Sequence, residues 1–141
     1  MQQPTISIVE VGPRDGLQAI EKTVPTEVKI ELIRRLATTG LRSIEVSSFT
    51  SPKWIPQLAD HEKVMEAVGQ MSSQSIIYSV LVPNLKGLHS ATEKGAKQVS
   101  VFVSASEGFS QENNRCSVAE ALARAKQVAD QAVKLGIAVR G

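Results

Sequence analysis

The chain has 141 residues, with sixteen Lys and Arg against fourteen Asp and Glu, for a formal net charge of +2. At 42% hydrophobic and 21% charged residues it reads as one ordinary globular domain, neither disordered nor membrane-spanning. The charges show no clustered basic face of the nucleic-acid-binding kind, no stretch nears the roughly 20 apolar residues of a membrane span, and the single cysteine, Cys116, rules out an internal disulfide.

The leader Met1-Gln2-Gln3-Pro4 lacks both the apolar core of a secretory signal and the Arg-rich character of a transit peptide. Together with the lone cysteine, this sets the expected compartment as the cytoplasm. The β-branched run Ile6–Val11 predicts a first buried strand. A long loop follows, and a helix is expected from Thr26, placed as N-cap after Pro25, to a stop at Gly40. Ser43–Val46 is the second strand. The loop from Ser47 to Ala59 contains Pro52 and Pro56 and is not regular helix.

Asp60 is expected to cap a short helix ended by Gly69, with Val64, Met65 and Val68 inward. Ile76–Val82 is the third strand, and Pro83-Asn84 turns into a third helix capped by Asn84 and stopped by Gly95. Gln98–Val103 is the fourth strand, followed by a polar loop from Ser104 to Cys116. Ser117-Val118-Ala119-Glu120 has capping-box spacing and opens the longest helix, with Val118, Ala121, Leu122, Ala125, Val128, Ala132 and Val133 as its inner stripe. Gly136 ends it, and a fifth strand begins at Ile137.

Helix-to-strand connections are short, while three of the four strand-to-helix connections are long. Parallel α/β folds gather their ligands at the strand-to-helix end, so long polar loops there suit an enzyme. The repeating βα units fit a (β/α)8 barrel or an open doubly wound sheet, and periodicity does not choose between them. No Gly-x-Gly-x-x-Gly follows the first strand, which counts against a dinucleotide fold, and Gly12-Pro13-Arg14-Asp15-Gly16 is not a Walker loop.

Arg14 and Asp15 fall just past the first strand. A carboxylate at a barrel mouth can ligate a divalent cation, and a guanidinium can hold an oxyanion. The pair reads equally well as a solvated turn. Glu45 alternates with Ile44 and Val46, so it points to the barrel interior or to the helices. A charge there needs a partner, and Arg14 on the adjacent strand end is the candidate. His61 and His89 each stand alone on a predicted helix, without metal-ligand spacing. Cys116 reads as inert, and Trp54 is expected to pack beneath the second loop.

The string Val11–Gln18, VGPRDGLQ, resembles the signature of the 3-hydroxy-3-methylglutaryl-CoA lyase family. The likeness continues through Ile44-Glu45, Ser48-Phe49, Ser51-Pro52-Lys53-Trp54, Asp60-His61, Pro83–Gly87, Ala105–Glu107, Cys116-Ser117 and Val139–Gly141. The Ser-Pro-Lys-Trp segment separates the lyases from the related isopropylmalate and homocitrate synthases. The resemblance implies the N-terminal half of a (β/α)8 TIM barrel, with about four βα units over residues 1–141, cut at the start of strand 5.

The same resemblance implies retro-Claisen cleavage of 3-hydroxy-3-methylglutaryl-CoA to acetyl-CoA and acetoacetate. Asp15 would be one ligand of Mg²⁺ or Mn²⁺, Arg14 and Gln18 would contact the acyl-CoA substrate, and Arg14 would stabilise the enolate, positioned by Glu45. The family's other metal ligands and its catalytic cysteine come from the second half of the barrel, so the chain alone is expected to be inactive. Where the family commonly continues with Asn-Glu-Lys, this chain has Ala19-Ile20-Glu21. A paralogue acting on another 3-hydroxyacyl-CoA is one alternative. A non-catalytic half-barrel that self-associates through exposed strand edges is another.

Overall fold

The computed structural model describes residues 6–71 and 75–141; the leader Met1–Pro4 lies outside them. Among the described residues four parallel strands form one sheet: β1 (Ser43–Ser48), β2 (Ile77–Leu81), β3 (Gln98–Ser100) and β4 (Ala138–Arg140), in the spatial order β1-β2-β3-β4. Helices α1 (Thr26–Leu36), α2 (His61–Gly69), α3 (Leu85–Glu93), α4 (Glu107–Asn114) and α5 (Val118–Lys134) occupy the connections. This is the α/β alternation expected from the sequence.

Pleating sorts the two faces of the sheet. Ile44, Val46, Val80, Val82 and Val99 point into one apolar core with Ile33 of α1, Val64, Met65 and Val68 of α2, Leu88 and Ala91 of α3, and Val128 and Ala132 of α5. Burying each of the larger aliphatic side chains contributes about 2 kcal/mol. On the opposite face Glu45, Ser79 and Gln98 lie in one row across the sheet, and Ser48, Leu81, Ser100 and Arg140 in the next. A register shift between Glu45 and Ser47 keeps both Glu45 and Ser48 on that side.

The first predicted strand is corrected. Within Ile6–Val11 only Glu10 pairs, in an isolated parallel bridge to Ile44, with the Glu10 amide donating to the Ser43 carbonyl and the Glu45 amide to the Glu10 carbonyl. Ile6 and Ile8 are exposed, so the β-branched side chains that suggested a strand have nothing to pack on.

Helix boundaries follow the caps. Asn84 Oδ1 accepts from the Gly87 amide, and Ser117 with Glu120 forms the full capping box. Gly95 and Gly136 take positive φ just beyond α3 and α5. At α1 the N-cap is Pro25, not Thr26; the Thr26 hydroxyl donates instead to Asp60 Oδ2. Asp60, the N-cap of α2, spends its carboxylate on α1 through that bond and through Lys29, and makes no side-chain cap. Lys29 is buried, and its Nζ also donates to the Gln57 carbonyl. The resulting polar clamp ties α1 to α2 beside the core.

Three further expectations change. The loop from Ser104 to Cys116 contains α4, capped by Ser106 and ended by Arg115 in the left-handed conformation. The stripe of α5 is narrower than its sequence suggests: Ala121, Val128 and Ala132 are buried, while Leu122 and Val133 are exposed. Trp54 is not beneath its loop. It is 55% exposed, with the Arg115 guanidinium 4.9 Å above its ring.

Candidate active site

The residues after Glu10 form one wide turn, Gly12–Gly16, in which the amides of Arg14 and Asp15 converge on the Val11 carbonyl. Because Glu10 bridges to Ile44, this turn lies beside the carboxyl half of β1, where parallel sheets place their ligands. The Glu10 carboxylate accepts from the Gly12 amide at 2.6 Å. A Cβ on Gly12 would stand 2.8 Å from that same oxygen, so a larger residue there would displace the Glu10 carboxylate from this bond.

Glu45 is fully buried on the polar face of the sheet. Its Oε1 accepts from Arg14 Nε at 2.5 Å. Its Oε2 accepts from Ser100 Oγ and from Arg140 Nη2, each at 2.5 Å. Three donors and two cations therefore offset the desolvation of one carboxylate, which alone would not stay buried and charged. Arg14 donates through Nη1 to Asp15 Oδ1 at 2.8 Å. The Arg14 side chain is 17% exposed and that of Asp15 62%.

Arg14, Asp15 and Glu45, named from the sequence, thus form one connected network. The two open readings of Glu45 resolve in favour of the interior face. Gln18 stands apart: its amide oxygen is buried without a hydrogen-bond partner, and it bonds to none of the three. Arg140 and Ser100 were not singled out, although both belong to the network. Arg140 carried a signal, since an arginine ending an apolar strand at the ligand-binding edge repeats the pattern that nominated Arg14. A serine in a strand carries none. His61 is a packing residue, with Nδ1 2.9 Å from the Leu58 carbonyl and its ring against Phe49. Cys116 is buried.

The arrangement presents a guanidinium whose Nε and Nη1 are already committed, leaving Nη2 to meet an incoming oxygen. Donors fixed before reaction are the ones that stabilise developing negative charge most effectively. Asp15 keeps one oxygen unclaimed by Arg14, as a single ligand to a hard cation requires. Among the described residues no group of three or more His, Cys, Asp or Glu is placed to hold a metal, so Asp15 does not form a metal site by itself. Ser79 Oγ and Arg140 Nε are buried without partners on the same face of the sheet. Such orphans are unusual in a protein interior. Two surface clefts of about 470 and 630 Å³ lie elsewhere, and neither is lined by Arg14, Asp15 or Glu45.

Comparison with known proteins identifies the family. The chain is 51% identical over 136 residues to the mitochondrial hydroxymethylglutaryl-CoA lyase of Arabidopsis thaliana, covering 96% of this chain and 29% of that protein. The solved HMG-CoA lyase of Brucella melitensis superposes with a TM-score of 0.91 at 48% identity, over 96% of this chain and 47% of the other. The HMG-CoA lyase of Acinetobacter baumannii, solved with coenzyme A and 3-methylmalate, gives a TM-score of 0.86 at 39% identity, over 94% and 43%. The chain thus spans less than half the length of these relatives, which are TIM-barrel lyases. The HMGL-like family profile matches residues 5–141, and the chain belongs to that family.

Proposed function

We propose that this chain supplies the oxyanion-binding part and one metal ligand of a hydroxymethylglutaryl-CoA lyase, in which Arg14 holds the enolate oxygen that forms as the carbon–carbon bond breaks. The observation that supports it most is Arg14 fixed between buried Glu45 and exposed Asp15 at the carboxyl end of β1. In the whole enzyme Asp15 would give one oxygen to Mg²⁺ or Mn²⁺, and such a cation would supply orientation and acidification of the substrate hydroxyl. Gln18, next to the same turn, is the second candidate for contact with the acyl-CoA. Glu45 acts on the reaction through Arg14, as a positioning residue. The domain assignment that goes with this reading is one partial (β/α)8 barrel over residues 1–141.

The test is turnover of 3-hydroxy-3-methylglutaryl-CoA by a full-length protein carrying this sequence, followed as acetyl-CoA release. Replacement Arg14→Gln is expected to lower kcat by about 10²–10³-fold, as loss of an oxyanion donor does. The 141-residue chain is expected to show no release with or without Mg²⁺. Wild-type full-length protein that leaves this thioester intact and turns over another 3-hydroxyacyl-CoA would move the assignment to a paralogous lyase, the reading favoured by Ala19-Ile20-Glu21 in the first loop. Self-association through the sheet edges, the third reading, is tested by sedimentation.

No helix of the described residues is long and apolar enough to cross a membrane. Curated relatives of similar identity carry both mitochondrial and cytoplasmic names. The cytoplasm remains the proposed compartment.

A further inference from the structure

We infer that Arg140 is a positioning residue of this site, a second cation that fixes the Glu45 carboxylate and through it aims Arg14. A carboxylate held by Arg14 alone, on one oxygen, would turn with that arginine. Here the other oxygen is held at 2.5 Å by two groups from two different strands, Ser100 Oγ on β3 and Arg140 Nη2 on β4. With both oxygens occupied the carboxylate has a single orientation, and Arg14 Nε has a single place to donate. The second bond of Arg14, Nη1 to Asp15, then fixes the plane of its guanidinium.

The position of Arg140 is costly unless this contact matters. It is the last residue of β4, and its side chain is 36% exposed, so water is within reach of the guanidinium. Its Nε is nonetheless buried without a partner, while Nη2 reaches Glu45 across 95 residues of sequence. An arginine serving only solubility would turn outward and hydrate all its donors. The backbone is pinned as well, since the Arg140 carbonyl accepts from the Val101 amide at 2.9 Å. Lysine would keep the charge but is shorter and carries a single ammonium, so it restores the clamp only in part.

The inference deepens the lyase reading, which gives Arg14 its purpose, but the clamp is measurable without any turnover. The experiment is solvent exchange of the Arg14 Nε–H proton, followed by NMR in the 141-residue chain and assigned by its loss in Arg14→Lys. In the unsubstituted chain this proton is expected to be protected. Arg140→Gln should speed its exchange about tenfold or more, with backbone protection in α1 and α3 unchanged, and Arg140→Lys should fall between. Ser100→Ala, which removes the other donor on the same oxygen, should speed it as well. An unprotected Arg14 proton in the unsubstituted chain, or an unchanged rate in folded Arg140→Gln or Arg140→Lys, overturns the inference. In the full-length enzyme Arg140→Gln should lower kcat with KM nearly unchanged, and Arg140→Lys should recover part of the loss. Absence of turnover in the unsubstituted enzyme counts against the lyase reading and leaves the exchange result standing.

Discussion

Arg14 Nε lies 2.5 Å from Oε1 of Glu45, a carboxylate with no exposed surface, 31 residues further along the chain. Removing the charge from such a buried acceptor leaves its cations uncompensated. Glu45→Gln, which preserves the shape, is therefore expected to lower the unfolding free energy by about 3 kcal/mol. A denaturant titration with an unchanged m-value and a lower midpoint would establish it. An unchanged midpoint would mean that the guanidiniums hydrate freely, and that the network contributes nothing to the fold.

A second buried pair makes an independent prediction. Lys29 Nζ lies 2.7 Å from Asp60 Oδ1, and the Lys29 side chain is only 4% exposed. Lys29→Ala should cost about 2–3 kcal/mol, because the partly exposed Asp60 is then left with only the Thr26 hydroxyl. The paired replacement Lys29→Met with Asp60→Leu should restore most of that loss. Thermal unfolding of the single and double variants separates the two outcomes.

Gly87 tests packing rather than charge. A Cβ there would meet the Phe49 carbonyl oxygen at 2.9 Å and Pro83 Cδ at 3.0 Å, neither of which can move aside. Gly87→Ala is expected to destabilise the chain by about 1–3 kcal/mol, despite alanine's better helix propensity. Hydrogen exchange should show the loss first in α3. A neutral or stabilising effect would place the start of that helix farther from Phe49 than it is.

The capping box of α5 predicts a pH dependence. The Ser117 amide, and after it the Ser117 hydroxyl, hydrogen-bond the Glu120 carboxylate and hold its pKa below the ordinary value. With the folded pKa below the unfolded one, the resulting stability is complete above the unfolded carboxylate pKa. It is lost as the pH falls through the folded value. Glu120→Gln, which keeps the shape and removes the charged acceptor, should lower stability at neutral pH. Below the carboxylate range the difference between variant and parent should shrink, as measured by urea midpoints at several pH values.

The sequence was readable where local chemistry and packing agreed. Asn84, Gly95, Ser117 with Glu120, and Gly136 mark helix ends because each acts within three or four residues of itself. Arg14 with Asp15 was readable because a turn between two glycines after an apolar run stands out. Ile6–Val11 was misread because its β-branched residues describe a preference that only a packed neighbour fulfils, and Ile6 and Ile8 have none. Helix α4 was missed because it has almost no apolar stripe; of its eight residues only Ser110 is buried, and a capping serine holds its start. Trp54 was misplaced because a guanidinium over an indole ring leaves no trace in spacing. Arg140 was passed over because its partner lies 95 residues away, and no periodicity connects them.

Neighbouring strands in this sheet are also neighbours in the chain, so β1, β2 and β3 can assemble in the order in which a ribosome delivers them. The bond between Glu45 and Arg140 escapes that order. Until β4 is made, a sheet of β1, β2 and β3 holds a buried carboxylate with one of its two cations still unsynthesised. The docking of β4 therefore completes the electrostatics of the sheet as well as its backbone ladder.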